Sequence, residues 1–332
     1  MSPSSSPVLR VQGLGVEFQT RRGIARVLED VSFELARGGT LGLVGESGCG
    51  KSITALAAMR LIPQPPGRIT AGQVWLDERE LLALTEREMR AVRGDRISMI
   101  FQEPMTSLNP AYTVGDQIGE AVRQHQGLSR RAALARATEM LEAVGIPAPA
   151  RRVNEYPHQF SGGMRQRVMI GMALACKPDV LIADEPTTAL DVTVQAQIFD
   201  LISELRERTG TAVILITHDM GSIAEMADRV AVMYAGRIVE EGAVADVLEQ
   251  PLHPYTQGLI ACAPGRREAA PGEPLMEIPG TVPSLLERRG GCAFAARCAQ
   301  AMPRCRERLP AETVLDGGAR RVLCWLHAQA DA

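Results

Sequence analysis

From Val8 to about Gly242, short apolar runs of strand length alternate with stretches of helical period. Residues 40–44, 97–101, 180–183 and 213–217 are apolar along their whole length. Strands covered on both faces of a mainly parallel sheet read this way. Residues 230–234 and 237–241 flank Ala235-Gly236 and predict a closing antiparallel pair. Between Glu103 and Gln159 the strand signal fades, and residues 116–126 and 129–144 predict helices. A helical insertion over about 103–165 therefore interrupts the sheet domain. After Glu249 the pattern changes again. Pro251, Pro254, Pro264, Pro271, Pro274, Pro279 and Pro283 mark an extended, punctuated segment, and a compact Cys- and Arg-rich end follows from Gly290. The expected division is a short disordered start (1–7), an α/β domain (8–250) and a C-terminal region (251–332).

Composition narrows this only a little. Of 332 residues, 45% are hydrophobic and 23% charged, ordinary values for a soluble chain with a substantial core. The formal net charge of -3 gives no electrostatic ground for binding nucleic acid or an anionic membrane surface. No apolar run approaches the ~18 residues a membrane-spanning helix requires, and the first residues lack the basic and apolar regions of a signal peptide. The expected location is cytosolic, or peripheral to a membrane through a partner.

The chemistry begins at Gly45-Glu46-Ser47-Gly48-Cys49-Gly50-Lys51-Ser52, which fits G-x-x-x-x-G-K-[ST]. An apolar strand leads in, and residues 53–61 predict a helix leading out before Pro63. Glycines let backbone N–H groups curl around phosphate oxygens, and a helix N-terminus favours an anion. Lys51 supplies positive charge to the β- and γ-phosphates and Ser52 a hydroxyl to Mg²⁺. A second element is the strand at 180–183 ending in Asp184 and Glu185. That places two carboxylates at the carboxyl edge of a sheet, where α/β proteins bind ligands. Asp184 suits the outer shell of Mg²⁺, and Glu185 is placed to polarise an attacking water. Alone, an acidic pair after a strand is as often a helix start.

A P-loop is shared by kinases, GTPases, helicases and motors. Phe160-Ser161-Gly162-Gly163-Met164-Arg165-Gln166-Arg167, about twenty residues before Asp184, narrows the choice. It resembles the LSGGQ signature of the ABC superfamily, with Phe160 and Met164 in place of Leu and Gln. Physically, Ser161 caps a helix whose first turn offers bare N–H groups to an anion. The resemblance implies a RecA-like ABC cassette with an antiparallel β subdomain and a helical subdomain, closing as a pair over two ATP molecules. It assigns Ser161, Gly162 and Gly163 to the γ-phosphate bound by the partner cassette. Gln102 becomes the Q-loop residue that reaches Mg²⁺ and couples to membrane subunits. Ala189-Leu190-Asp191 matches the D-loop, His218 the switch histidine, and Phe18 the aromatic stacked on adenine. Lys51, Gln102, Glu185 and His218 form the expected catalytic set for ATP hydrolysis, with Phe18 and Asp191 among the nucleotide-binding residues.

Residues 102–110, with Pro251-Leu252-His253-Pro254-Tyr255-Thr256, Ile278-Pro279-Gly280 and Val282-Pro283-Ser284-Leu285, are similar to the ATP-binding subunits of oligopeptide, dipeptide and nickel importers. That family implies a second related ATPase, two membrane permeases, an extracytoplasmic binding protein and a place on the cytoplasmic face of the membrane. Nickel and glutathione import remain alternatives within it. A soluble ABC ATPase of DNA repair or translation, and an exporter with fused transmembrane helices, are the rivals outside it.

The spacing Cys292-x5-Cys298-x6-Cys305-x18-Cys324 lacks the close pairs of common zinc sites and the ferredoxin spacing. Spacing alone leaves free thiols and a metal site open. The resemblance implies a [4Fe–4S] cluster, with Zn²⁺ as the alternative. Arg297, Arg304 and Arg306 then either offset its charge or form a solvated basic face.

Overall fold

The computed structural model describes residues 6–102, 107–187, 191–263, 277–284, 286 and 290–328. Its strands are β1 (Leu9–Thr20), β2 (Gly23–Leu35), β3 (Thr40–Val44), β4 (Gly67–Leu76), β5 (Arg79–Glu80), β6 (Ile97–Ile100), β7 (Val180–Asp184), β8 (Ala212–Thr217), β9 (Arg229–Tyr234), β10 (Arg237–Ala243), β11 (Thr313–Leu315) and β12 (Arg320–Val322). Each apolar run of the sequence becomes a strand, and β3, β6, β7 and β8 are buried at every position. Two compact units emerge. One comprises Met1–Leu9, Leu35–Gly39 and Ala83–Ile214; the other comprises Arg10–Glu34, Thr40–Leu82 and Leu215–Ala332.

In the first unit β6 pairs in parallel with β7, matching Ile97 to Val180 and Ile100 to Ala183. Helices Val114–Gln126 and Arg130–Ala143 lie where the strand signal fades, and helix Gly162–Leu174 follows them. Their starts are chemically marked: Thr113, Ser129 and Ser161 each accept a hydrogen bond from a backbone N–H of the first turn. Gly127, in the left-handed region, closes the first of them. Buried Val114, Ile118 and Val122 line one face of that helix, against Ala133, Ala137 and Leu141 of the next. Successive members of each set are four positions apart, a spacing that puts them on one stripe.

The second unit holds two sheets. One has the order β2-β1-β4-β5. In the other, β3 and β9 are parallel, β9 and β10 antiparallel, and β12 and β11 continue the antiparallel order. The C-terminal segment thus adds strands to the sheet that carries the phosphate loop. Buried charge fixes this join. Glu240 of β10, fully buried, is 3.1 Å from Arg320 of β12, and its carboxylate also accepts from the N–H of Leu252 and of His253 at 2.9 Å. Glu241 is paired with Arg229 and Arg321. A buried carboxylate persists only when its lone pairs are taken up, and here three donors serve Glu240 and two serve Glu241.

The helix after the phosphate loop spans Lys51–Ala58, shorter than the expected 53–61. Arg60 takes a positive φ of 53° and ends the helical geometry before Pro63. Residues 1–5 of the expected disordered start, and residues 103–106 of the peptide-importer-like stretch, lie outside the described residues.

Candidate functional site

In the second unit, β3 delivers the chain directly into the phosphate loop. Gly45, Gly48 and Gly50 have φ values of 154°, 79° and 110°. At Gly45 a Cβ would collide with the Met233 carbonyl, and at Gly50 it would lie 2.7 Å from Leu28 Cδ2. Only glycine satisfies both the backbone and the space there. Helix Lys51–Ala58 follows with no side chain capping its start, so its leading N–H groups are the donors an anion needs. Lys51 is 5% exposed, and its Nζ donates to the carbonyls of Gly45 at 2.8 Å and Glu46 at 3.3 Å. The ammonium is therefore held over the mouth of the loop rather than extended into water. Ser52 is half-buried at the second position of the helix. Cys49 is enclosed beside Lys51, and burial raises its thiol pKa.

Glu46 is tied down at two points, which sequence reasoning missed. Its N–H donates to the Tyr255 hydroxyl at 2.8 Å, and its carboxylate accepts from Arg297 at 2.6 and 2.9 Å. In the sequence Glu46 is a variable position of a motif, and its two partners lie more than 200 residues away. Phe18, on β1, is half-buried with its ring edge next to Gly67. His218 is exposed where β8 ends, just before Asp219, which caps helix Met220–Met226 by accepting from the N–H of Gly221 and Ser222. Burial alone would raise the Asp219 pKa, but hydrogen bonds from Ser222 and Gly221, with His218 nearby, hold it below the usual carboxylate value.

In the first unit, β7 ends at buried Asp184, and Glu185 follows at φ 45°. A left-handed glutamate is uncommon, and such strain collects at functional positions. Its Oε2 accepts from Gln102 Nε2 at 2.8 Å. Two residues singled out for separate reasons thus meet. Ser161 caps helix Gly162–Leu174, accepting from the Met164 N–H at 3.3 Å. Phe160 is buried under the Arg152 guanidinium, 5.6 Å above its ring, so this apolar position is filled by packing. A Cβ on Gly162 would meet nothing within 4 Å. Packing inside the chain therefore does not ask for glycine there, whereas close approach by something outside it would. Buried Gln166, not anticipated from the sequence, donates to the carbonyl of Pro186 and ties this helix to the segment following Glu185. Asp191 caps helix Val192–Thr209 through the Val194 N–H at 2.9 Å. Ala189 and Leu190 lie outside the described residues.

Cys292, Cys298, Cys305 and Cys324 line one cavity with His253, Phe294 and Trp325. All four are free thiols. Among the described residues, no three His, Cys, Asp or Glu side chains are grouped so as to hold a metal ion. Burial raises the pKa of Cys292, Cys298 and Cys324, the last to about 11, while backbone N–H groups of Phe294, Gln300 and Leu326 respectively act in the opposite direction. The Met302 N–H reaches Cys305 Sγ at 3.4 Å. His253 Nδ1 accepts from the Tyr255 N–H at 3.0 Å, which leaves the proton of the neutral ring on Nε2. Burial, with His327 nearby, holds the His253 pKa at about 3, and Nε2 is buried with no hydrogen-bond partner among the described residues. Sulfur acceptors ringed by N–H donors, with a spare imidazole N–H on the same cavity, have the chemistry of a thiolate site. The flanking arginines divide. Arg297 is taken by Glu46, Arg304 lies 5.1 Å over Trp325, and Arg306 is exposed.

Among the described residues no helix is long and apolar enough to cross a membrane. Residues 28–188 match the ABC transporter family, and residues 239–305 match the oligopeptide/dipeptide transporter C-terminal region. A probable peptide ABC transporter ATP-binding protein of Sinorhizobium fredii is 53% identical, the alignment covering 98% of this chain and 96% of that one. The dipeptide transport ATP-binding protein DppD of Bacillus subtilis is 51% identical over 97% of this chain and 95% of its own. A solved dimeric ATP-binding cassette in a post-hydrolysis state, bound to ADP and phosphate, superposes with a TM-score of 0.64 at 27% identity. That match covers 71% of this chain and 98% of the cassette.

Proposed function

This chain belongs to the ABC transporter ATP-binding proteins, and we propose that it is the ATP-hydrolysing subunit of an importer of peptides. The observation that carries the reading is the joining of a complete phosphate loop to an oligopeptide/dipeptide-type C-terminal region within one compact unit. The division into an ATPase domain (8–250) and a C-terminal region (251–332) is part of the proposal, supported by the two matched ranges.

In the proposed reaction a water oxygen attacks the γ-phosphorus of ATP and the bond to the bridging oxygen of ADP breaks. The glycine loop and Lys51 hold the phosphates and offset their charge, and Ser52, Asp184 and Gln102 are the residues for Mg²⁺. Mg²⁺ would supply further charge neutralisation between the phosphates. Glu185, oriented by Gln102, accepts the proton of the attacking water. His218 contacts the γ-phosphate, and Phe18 faces the adenine. Ser161, Gly162, Gly163 and Asp191 serve the nucleotide of a second cassette, since their helix starts are exposed at Ser161, Gly162 and Asp191.

The partners proposed are a related second ATPase, two membrane permeases and an extracytoplasmic substrate-binding protein, with the chain peripheral at the cytoplasmic face. Peptides are the proposed cargo, in line with the names of its relatives. The four C-terminal thiols are proposed to hold a [4Fe–4S] cluster, with Zn²⁺ as the competing occupant; a common cavity and backbone donors to sulfur support this. Uptake of a labelled dipeptide by cells lacking this chain tests the transport reading. Restoration by the parent chain but not by Glu185→Gln supports it, and unchanged uptake on deletion contradicts it.

A further inference from the structure

The hold on Glu46 is unusually complete for a loop position that sequence treats as variable. Arg297, whose side chain is 5% exposed, closes a two-pronged ion pair on its carboxylate. The other faces of the guanidinium are also occupied. Nε donates to the Pro279 carbonyl at 2.8 Å, and Nη2 to the Ile278 carbonyl at 2.9 Å. The Tyr234 and Phe294 rings each lie 5.9 Å from its centre. The same aromatic cluster positions Tyr255, 4.6 Å from Tyr234 and 5.4 Å from Phe294 by ring centroids, with its hydroxyl on the Glu46 N–H. On its far side, the Glu46 carbonyl accepts from Lys51 Nζ. The chain of contacts therefore runs from Arg297 and Tyr255 through Glu46 to the lysine of the phosphate loop.

This arrangement answers an electrostatic problem. A carboxylate on the loop that receives a polyphosphate repels its ligand, and the repulsion acts over a few ångströms in a partly dehydrated site. A guanidinium locked on that carboxylate cancels its charge and fixes its direction, which a mobile lysine would not do. We infer that Arg297 is a positioning residue for ATP. Acting through Glu46, with Tyr255 as second anchor, it keeps the loop's own carboxylate neutralised and Lys51 aligned. The C-terminal region is thus a working part of the nucleotide site, not a separable appendage. The inference rests on reading the loop as the ATP site.

The test measures Mg·ATP affinity and steady-state hydrolysis on the full chain in its assembled complex. Arg297→Ala should weaken ATP binding about tenfold and raise KM for ATP with little change in kcat, because one unpaired charge beside the phosphates is released. The loss should shrink as salt rises. Arg297→Lys should recover part of the affinity, and adding Glu46→Gln to Arg297→Ala should recover most of it. Tyr255→Phe, which keeps the ring and removes only the hydroxyl, gives the same readout if Arg297→Ala folds poorly. Parent-like affinity in Arg297→Ala and Tyr255→Phe would overturn the inference. So would a loss in Arg297→Ala that Glu46→Gln leaves untouched, since that is the behaviour of a purely structural residue. Lys51→Ala separates the premise: if it too binds ATP normally, the nucleotide-site reading itself has failed.

Discussion

Gln102 and Glu185, 83 positions apart, share a hydrogen bond of 2.8 Å from amide to carboxylate. The contact fixes the direction of a carboxylate whose backbone is already held in a left-handed geometry. Gln102→Ala should remove a contact that orients the Glu185 carboxylate. Hydrolysis is expected to fall by one to two orders of magnitude, with ATP binding nearly unchanged, because the lost effect is orientation of the water-activating group. Parallel measurement of kcat and nucleotide affinity checks this.

Gly162 offers a sharper separation of fold from function. Ala in a helix is favoured over Gly by about 1 kcal/mol, and a Cβ at this position meets nothing within 4 Å. Gly162→Ala should therefore match or exceed the parent in thermal stability while losing most ATPase activity in the assembled pair. Ser161→Ala should instead lose about 1 kcal/mol of stability with its cap, as well as activity. Thermal unfolding beside ATPase rates distinguishes the two patterns.

The buried pair of Glu240 and Arg320 is a matter of stability alone. Glu240→Ala removes the carboxylate partner of the Arg320 guanidinium, leaving it the Gln250 carbonyl, and the acceptor of two backbone N–H groups. Stranding a buried cation in this way costs about 3–5 kcal/mol. Denaturant unfolding should register that loss, together with loosening of the C-terminal strands from β10. Replacing both partners with apolar residues of similar volume should cost much less.

The C-terminal thiols make a compositional prediction. Protein purified without oxygen should contain iron and sulfide in stoichiometric amounts with visible absorption, and Cys298→Ser should lose both. Colourless protein with about one zinc ion per chain would favour the competing occupant, and metal-free protein would leave the four residues as free thiols.

Much of the first unit and of the parallel strands was legible because their physics is local. Strands such as β3 and β8 are buried on both faces, so all but one terminal threonine in each lack a polar side chain and the run announces itself. The strand of Glu185 and the cap at Ser161 were visible for the same reason: each is a short pattern with one steric or hydrogen-bonding cause. The edges and long-range joins were not. β1 and β2 mix buried, half-buried and exposed positions along 12 and 13 residues, which blurs any period. β11 and β12 are three residues each and exist through pairing with β10. The Arg297 to Glu46 pair spans 251 positions, and nothing local to either residue names the other. The thiol site shows the same limit, since a spacing of cysteines states the donors but not their convergence.

The most direct test of the central claim is ATP binding and ATP hydrolysis measured side by side in Glu185→Gln. Retained binding with hydrolysis lowered at least about 100-fold, the scale of a lost general base, is the result expected of a carboxylate that activates water in an ABC ATPase. Turnover within a few-fold of the parent chain would remove Glu185 from that role and contradict the account.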